Sequence, residues 1–532
     1  MKKRLIIGVL YGALGITIFQ GCAPLGPNFH GIGNAPIPQS WKKKHRGDTA
    51  AVTRWWRSFK DPTLNMLVQK AYAQNLDIRS AGLRILQARA MLGITHGYTF
   101  PQSQKINAQA SSTRTGQGDL ASTDLSFDIG WELDLWGKYA RGVESAEAAL
   151  LASVASYDDI VVSVIAETAR NYILYRTAQE RLMYAKRNVV IQERIAQMTR
   201  VQFNSGNVSE LDMQQARTQL YTTKTAIPAI ELSKRQALNA LALLLGSDAS
   251  EVEKLLRKRD KSRFDSANKF IAMHQGVIQV KNAEGLIDVN IVPQPSLNPH
   301  YPIDANLITR RPDIKAAEYL VHAETAKLGI ETAALYPSFT LFGSIGYHNS
   351  NALGGWLKGN DPLGVTVGPA FSWNIFNYGQ IKNKIRMQDA LLEERLTAYN
   401  RAVLSAVAEV SNALAGYRLT RKQHQENKKA LEATVRAFNL SVVQYNDGLV
   451  NYQRLLTTVE QLTATQDRFA TIKGNVALNA VALYKALGGG WQISRNGRYV
   501  SKESLKRMKS RTDWGDMLDG NMTKLPWRIE DE

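Results

Sequence analysis

The sequence predicts a mainly α-helical protein that also carries a membrane β-barrel segment. The predicted unit is a β-hairpin followed by a long antiparallel helical hairpin, and this unit occurs twice. Three observations predict this fold class. Matching segments recur at a nearly fixed spacing, segments of strict apolar–polar alternation occur in both halves, and a stretch of about 66 residues without Pro follows the first of them.

Composition excludes several classes of protein. The chain has 532 residues, 44% of them hydrophobic, and a formal net charge of +19. Its single Cys excludes a disulfide scaffold, and its eight scattered His residues contain no HExxH pair. No apolar run approaches the roughly 20 residues of a spanning helix, which argues against a polytopic helical membrane protein. We expect neither a metal nor a cofactor.

Residues 1–21 have the parts of a secretory signal peptide. Three basic residues at positions 2–4 precede an apolar stretch over residues 5–19, and Gly21-Cys22 follows. The placement of the only Cys resembles a bacterial lipoprotein signal, in which cleavage after Gly21 leaves a lipidated Cys22. An ordinary signal peptide with a chance Cys remains the alternative. Both interpretations predict an exported protein.

The chain is internally duplicated. VQFNSGNV at 201–208 matches VQYNDGLV at 443–450, and WELDLWGK at 131–138 matches WNIFNYGQ at 373–380, both at an offset of 242 residues. LGITHGYTFPQ, which starts at residue 92, matches LGIETAALYPS at an offset of 236. The spacing is too long for a solenoid repeat, so it indicates a duplicated gene.

The duplication sets the predicted domain boundaries. They are a signal peptide (1–21), an N-terminal lipid anchor and equatorial segment (22–65), a first repeat (66–245, strands about 104–136 and helices about 137–245), an equatorial linker (246–303), a second repeat (304–487, strands about 338–377 and helices about 381–487) and a C-terminal tail of basic and acidic residues (488–532). "Equatorial" means around the middle of the helical part.

Strict alternation predicts membrane strands. The clearest case places apolar residues on one face of a strand and acidic or small residues on the other. The apolar face holds Leu125, Phe127, Ile129, Trp131, Leu133 and Leu135. The same alternation predicts strands with Phe339, Leu341, Ile345 and Tyr347, and with Val365, Val367, Phe371, Trp373 and Ile375, while the signal around Ile106 to Thr113 is weak. An apolar face rich in aromatic residues opposite a wet face separates lipid from water. A soluble sandwich with one wet face is the alternative.

Long helices follow each pair of strands. The first, over about 137–202, would span about 100 Å at 1.5 Å per residue. A break at Asn204-Ser205-Gly206-Asn207 precedes a returning helix over about 210–245, in which Pro228 predicts a kink or boundary. Asn446-Asp447-Gly448 predicts the equivalent turn in the second half.

Four strands cannot close a barrel alone, and lipid tolerates no open sheet edge. Two copies would supply eight strands, whose interior side chains would fill, whereas three copies would supply twelve strands and leave a conduit. The sequence therefore predicts a homotrimer. Its twelve-stranded barrel would be continuous with a tube of helices.

Several motifs resemble one known family. They are the segments 307–318 (LITRRPDIKAAE), 326–330 (AKLGI), 336–338 (YPS), 55–62 (WWRSFKDP) and 22–29 (CAPLGPNF). Together they resemble the TolC family of outer-membrane efflux proteins, and within it the OprM/NodT-like lipoproteins of resistance-nodulation-division efflux systems. The resemblance covers about residues 20–488.

The resemblance implies a passive, non-enzymatic exit duct for small molecules in the outer membrane, with a periplasmic helical barrel. It implies a periplasmic adaptor (membrane fusion) protein and an inner-membrane pump of the resistance-nodulation-division type as partners. It also places two sets of residues at adaptor-contacting helical tips. These are Ser205, Gly206, Asn207 and Val208, and Asp447, Gly448, Leu449 and Val450. A need for the two glycines in the turn alone is the alternative.

The Arg-Arg-Pro-Asp segment looks like a site, but a structural role is the better interpretation. Pro312 suits the first turn of a helix, and Asp313 and Glu318 would place acid near its positive end. Arg310 and Arg311 would hold carboxylates where helices meet.

Other features leave alternatives open. Five carboxylates of the second helical hairpin could form a gate or be solvated: Asp389, Glu393, Glu409, Glu432 and Glu460. The basic segment 254–263 suits a solvated surface, peptidoglycan or anionic lipid, and export argues against nucleic acid as a partner. The competing functions are an exit duct for an ATP-driven protein secretion system and a coiled-coil structural protein of the envelope. No nucleophile lies near a base in a known pattern, which argues against an enzyme.

Overall fold

The computed structural model describes residues 24–33, 52–116, 118–264, 271–274, 277–280, 291–296, 308–350, 363–494 and 499–518. The predicted signal peptide, Cys22 and the end of the tail lie outside the described residues. So does much of the predicted linker.

The two halves contain the same elements in the same order. The first half contains α2 (Leu76–Gly97), β1 (Ser103–Thr115), β2 (Gly118–Leu133), α3 (Lys138–Asn204) and α4 (Glu210–Leu244). The second contains α6 (Pro312–Ala333), β5 (Ser338–Ser350), β6 (Leu363–Ser372), α7 (Gln380–Asn446) and α8 (Tyr452–Ala486). Helix α1 (Pro62–Gln74) precedes the first half, α5 (Ala249–Phe264), β3 (Ile271–His274) and β4 (Val277–Val280) lie between the halves, and α9 (Lys502–Lys509) follows the second. The predicted fold class, a duplicated β-hairpin on a long helical hairpin, is confirmed.

The helices form a layer in which each packs beside its neighbours. Near the strands the order is α2, α3, α6 and α7, and near the hairpin turns it is α4, α3, α8 and α7. Helices α3 and α7 each have 67 residues and run the full length, whereas α4 and α8 each have 35. Thus α7 forms one lateral edge of the layer, and α2 and α4 form the other.

The four long strands form one antiparallel sheet in the order β1, β2, β5, β6. Its register places apolar residues opposite one another: Phe127 faces Ile106 on one side and Ile345 on the other. Phe339 likewise faces Phe371. Directly paired residues share a face of a sheet, so one face is apolar across all four strands. Among the described residues, β1 and β6 are its unpaired edges.

Two strands end earlier than the alternation predicts. Strand β2 ends at Leu133, because the Asp134 carboxylate accepts the backbone N–H groups of Tyr139 (3.1 Å) and Ala140 (2.7 Å) and so belongs to the start of α3. Leu135 therefore lies beyond the strand. Strand β6 ends at Ser372, which leaves Trp373 and Ile375 outside it as well. The weakly predicted first strand is a full 13-residue strand.

Pro228 does not end a helix, because α4 continues through it; of the kink or boundary that its position predicts, the boundary is wrong. Pro228 lies on the exposed side of α4, where solvent can satisfy the carbonyl that loses its amide partner.

The expectation that no helix is long and apolar enough to span a membrane also needs correction. Helix α3 contains a window long and apolar enough to cross a membrane, although half of that window is buried inside the protein, as in a core helix.

Candidate functional site

The two faces of the sheet differ in chemistry. On one face Val367 and Phe371 are 81% and 72% exposed. On the other face the Asp128 carboxylate accepts hydrogen bonds from Asn107 (2.6 Å), Ser126 (2.9 Å) and Ser344 (2.6 Å), on three different strands. Exposed apolar side chains suit lipid, and a hydrogen-bonded carboxylate suits water. The sheet is therefore built to separate a membrane from an aqueous space.

Both helical hairpins end in the same turn. Gly206 and Gly448 have φ of +75° and +73°, in the left-handed region that favours glycine. In the first turn the N–H of Asn207 donates to the carbonyl of Gln202 (2.9 Å), and the second turn has the equivalent bond from Leu449 (2.8 Å). This is the Schellman pattern that ends a helix. A Cβ on either glycine would meet no atom within 4 Å, so the backbone angle, and not crowding, requires glycine.

The eight predicted tip residues lie in the two hairpin turns, four in each turn, and most of them are exposed to solvent. Leu449 is 73% exposed. Val450 is half-buried and packs against the core cluster between α7, α8 and α3. The exposed tip residues are Ser205, Gly206, Asn207, Asp447, Gly448 and Leu449; Val208, like Val450, is half-buried. The tips thus offer backbone, small polar groups and one apolar side chain to a partner.

A contact between the halves lies directly behind the tips. The Tyr445 hydroxyl of α7 donates to Oε1 of Gln202 on α3. The Tyr445 ring packs edge-on against Tyr452, with centroids 5.9 Å apart. Burial raises the pKa of Tyr445, so its hydroxyl keeps the proton that it donates. The repeat differs at this position, with Phe203 in place of Tyr445, and that difference is the only sequence signal for the contact.

Arg311 connects three helices: the start of α6, the end of α8 and the middle of α7. Its Nη1 donates to the Ala486 carbonyl at the end of α8 (2.7 Å), and its Nη2 donates to Asp313 of α6 (2.8 Å) and Glu409 of α7 (2.9 Å). Arg311 is 8% exposed. Burial and the neighbouring Asp313 raise the pKa of Asp159, which lies near this cluster. The guanidinium donates its hydrogen bonds to two carboxylates and a backbone carbonyl of the same chain. This arrangement suits a structural junction better than a ligand site.

The other residues of this segment have separate surroundings. Pro312 is the first residue of α6, and Asp313 lies in its first turn. Glu318 pairs with Lys315 at 2.7 Å, whereas Arg310 is exposed. Among the carboxylates considered for a gate, Glu409 binds Arg311, and Glu460 borders a groove of about 310 Å³ between α3, α4 and α8. The remaining three, Asp389, Glu393 and Glu432, are exposed on α7.

Sequence reasoning missed a buried ion pair at the boundary between the halves. Lys473 Nζ of α8 lies 3.2 Å from both carboxylate oxygens of Glu180 on α3, and their side chains are 5% and 0% exposed. The Val292 N–H donates to Glu180, and Gln294 donates to the Lys473 carbonyl. The pair therefore also fixes the described part of the linker against the helices. Nothing local in the sequence distinguishes these charges from solvated ones.

The segment after Cys22 lies where the strands meet the helices. The Leu25 N–H donates to the Trp136 carbonyl (3.1 Å), and the Arg141 Nε donates to the Leu25 carbonyl (3.1 Å). Gly137 has φ +72°, and a Cβ there would lie 2.5 Å from the Cα of Pro24. Glycine is thus required both for its angle and for this close approach. The described chain begins next to the end of β2.

These features define a class of protein. A sheet with a lipid face and a wet face continues into two helical hairpins about 100 Å long, which is the architecture of a membrane channel extended into an aqueous compartment. Comparisons with known proteins agree. The outer membrane efflux protein family matches residues 67–247 and 305–489, so this chain belongs to that family.

Individual relatives cover nearly the whole chain. Nodulation protein T of Rhizobium leguminosarum bv. viciae is 29% identical over 88% of this chain and 90% of its own length. A probable outer membrane lipoprotein, SilC of Salmonella typhimurium, is 26% identical over 90% of this chain and 97% of its own. The solved structure of the outer-membrane channel OprN superimposes with a TM-score of 0.74 at 27% identity, over 88% of this chain and 100% of that one.

The chain is therefore the outer-membrane channel component of an efflux pump. It is a transport protein and not an enzyme. Its strands lie in the outer membrane, and its helices lie in the periplasm. The predicted family and the predicted role as the outer-membrane channel of an efflux pump are confirmed.

Proposed function

We propose that three copies of the chain close into a ring that forms a passive exit duct for small molecules. The observation that carries this proposal is the open four-stranded sheet. Its apolar face requires lipid, yet within the described part of the chain its edge strands β1 and β6 pair with no further strand. Three copies supply twelve strands, enough to leave an aqueous interior. The helical layers, which also have two lateral edges, then close into a tube below the barrel.

Conductance tests the duct. Purified protein in a planar lipid bilayer should give long-lived, discrete channels that need no energy source. Absence of conductance from protein that is folded by circular dichroism would contradict the duct and would favour a structural role in the envelope.

The helical tips are the proposed docking surface for a periplasmic adaptor that belongs to a pump of the resistance-nodulation-division type. The exposed glycine turns allow close backbone approach, and Leu449 offers an apolar contact of the kind that interfaces bury. A photo-crosslinking residue at Leu449 should capture the adaptor in whole cells. The same residue at Met91, which is 58% exposed on α2 near the strands, is the matched control. Equal capture at both positions would contradict docking at the tips.

Small molecules are the proposed cargo, and protein secretion by an ATP-driven exporter is the alternative. Membership in the efflux family and resemblance to efflux lipoproteins support the first. Deletion of the gene should raise the sensitivity of the cells to small toxic compounds while leaving the secreted proteins unchanged. The reverse result would favour the secretion duct.

Cys22 is the proposed lipid anchor in the outer membrane. Cys22 is two positions before Pro24, a reach of about 7 Å, and Pro24 lies against Gly137, just after β2. The anchor would thus attach at the boundary between strands and helices, where lipid headgroups end. Mass spectrometry of the mature N-terminus should show acyl chains, and Cys22→Ser should remove them. An unmodified Cys22 in the mature protein would contradict the proposal.

A further inference from the structure

The two halves repeat with fixed offsets in residue number. Helices α3 and α7 differ by 242 at both ends, as do α4 and α8. Helices α2 and α6 differ by 236, and the 13-residue strands β1 and β5 differ by 235. Each residue at the boundary between the halves therefore has an equivalent at a lateral edge of the chain. The boundary within one copy is a template for a boundary between copies.

The aromatic residues at the ends of the strands show this relation. Within the chain, Trp136 after β2 packs on Tyr336, with ring centroids 4.8 Å apart, and its Nε1–H donates to the Pro337 carbonyl (2.7 Å). The equivalent of Trp136 is Tyr378, which follows β6 and is 98% exposed. The equivalent of Tyr336 is Phe100, which precedes β1 and is 58% exposed. Both halves of this contact are present, at opposite edges of one chain.

The charged residues show the same equivalence between the inner boundary and the lateral edges more specifically. The buried pair between the halves joins Glu180 of α3 to Lys473 of α8. The equivalent of Glu180 on α7 is Lys422, and the equivalent of Lys473 on α4 is Glu231. The pair is conserved in the duplication with its charges exchanged. Lys422 is exposed, and Glu231 is 52% exposed with a contact of 3.8 Å to Lys186.

We propose that Lys422 of one copy forms an ion pair with Glu231 of the partner subunit, within an interface that repeats the contact between the halves. Tyr378 packs on Phe100 of the partner subunit, and β6 pairs with its β1. The template sets the register: Ile129 faces Gly343 within the chain, so Phe371 faces Ala108 of the partner subunit. The partner is a second copy of this chain, and the inference rests on the proposed ring.

Exchanged charges make the interface selective. An α7 edge that met an α8 surface would place Lys422 against Lys473, two like charges. The correct edge, α4, presents Glu231. Like charges in contact disfavour the wrong pairing, so the exchange distinguishes the boundary between copies from the boundary within one copy.

Cross-linking tests the pair. Protein with Lys422→Cys and Glu231→Cys, treated in membranes with a short bifunctional maleimide, should give cross-linked dimers and trimers on denaturing gels. The matched control is Lys422→Cys with Glu210→Cys. Position 210 lies on the same helix as 231, about 32 Å away at 1.5 Å per residue, and should not cross-link.

A second pair separates failure of this inference from failure of the ring. Phe371→Cys with Ala108→Cys should cross-link copies in the sheet. Cross-linking there without cross-linking at 422 and 231 would overturn the ion pair and leave the ring intact. Absence of cross-links at both pairs would overturn the ring as well.

Charge reversal tests the sign of the interaction. Lys422→Glu should lower the temperature at which the oligomer dissociates in detergent, and adding Glu231→Lys should restore at least half of that loss. A double variant that is no more stable than the worse single variant would contradict the pair.

Discussion

Replacing Lys473 with Met should destabilise the helical layer by about 3–5 kcal/mol, because the change leaves the Glu180 carboxylate buried without its charge partner. The Glu180 side chain has no exposed surface, and within the described part of the chain the Val292 N–H would then be its one remaining hydrogen-bond donor. Met retains most of the apolar stem of Lys, so the decrease in the free energy of unfolding measures removal of the charge and not loss of packing. The ion pair also holds linker residues 291–296 against the helices, so their release would add to the loss of stability.

Two matched variants isolate the cause. Lys429→Met removes one partner of the pair with Glu426, whose side chains are 71% and 62% exposed, and should cost less than about 1 kcal/mol. The double variant Glu180→Leu with Lys473→Met removes both buried charges and should recover much of the stability of the parent protein.

The defect should also depend on pH. Burial raises the pKa of Glu180 in the folded protein, and Lys473 opposes that rise. Without Lys473 the folded pKa rises further above the unfolded value. A raised carboxyl pKa destabilises the fold above the unfolded pKa, and protonation removes that penalty as the pH falls. The defect of Lys473→Met should therefore shrink as the pH falls toward about 4.3, the ordinary pKa of Glu.

The assay is denaturant unfolding followed by far-UV circular dichroism, at one detergent and one protein concentration, since the stability of an oligomer depends on both. The reasoning would be refuted if Lys473→Met unfolded with the same midpoint as Lys429→Met, or if its defect grew at acidic pH.

Three further variants probe the junction and the tips. Arg311→Met should cost about 2–3 kcal/mol in the same assay, because it removes charged hydrogen bonds and leaves the Ala486 carbonyl unpaired; a loss below about 0.5 kcal/mol would contradict the structural role. Gly448→Val should cost about 1–2 kcal/mol, since φ is +73°, whereas Gly448→Asn should cost less; equal losses would argue against the backbone explanation. Tyr445→Phe should cost about 1 kcal/mol and raise the open probability of the channel, because it frees α7 from Gln202 at the tip; unchanged conductance would remove that contact from any role in opening.

Much of the fold could be predicted because the pattern occurs twice. The repeats of VQFNSGNV and WELDLWGK locate equivalent turns and strand ends, and the helices that they bound have equal lengths in the structure. Strict alternation locates β2, because Phe127 and Trp131 on the apolar face are each followed by an acidic residue on the other face. The weaker signal of β1 has a physical reason. Ala108 and Ala110 give its apolar face little contrast, and pairing with β2 decides its conformation.

The remainder depends on contacts between distant residues. Glu180 and Lys473 are 293 positions apart, and neither differs in local sequence from a solvated charge on a helix. The Arg311 junction was foreseeable in part, since Arg-Pro-Asp indicates a helix start, but the bond to Ala486 was not. Pro228 misled for the opposite reason. A local rule predicted a kink or a helix boundary, and the helix does not end there, because packing along α4 stabilises it on both sides of the exposed Pro228.

The central claim is that copies of this chain close a shared barrel, and the mass of the native protein tests it most directly. Protein extracted from the outer membrane in mild detergent, with the bound detergent subtracted, should have three times the mass of the mature chain. A monodisperse monomer in its native state would leave β1 and β6 as open edges in lipid, and would contradict both the barrel and the duct.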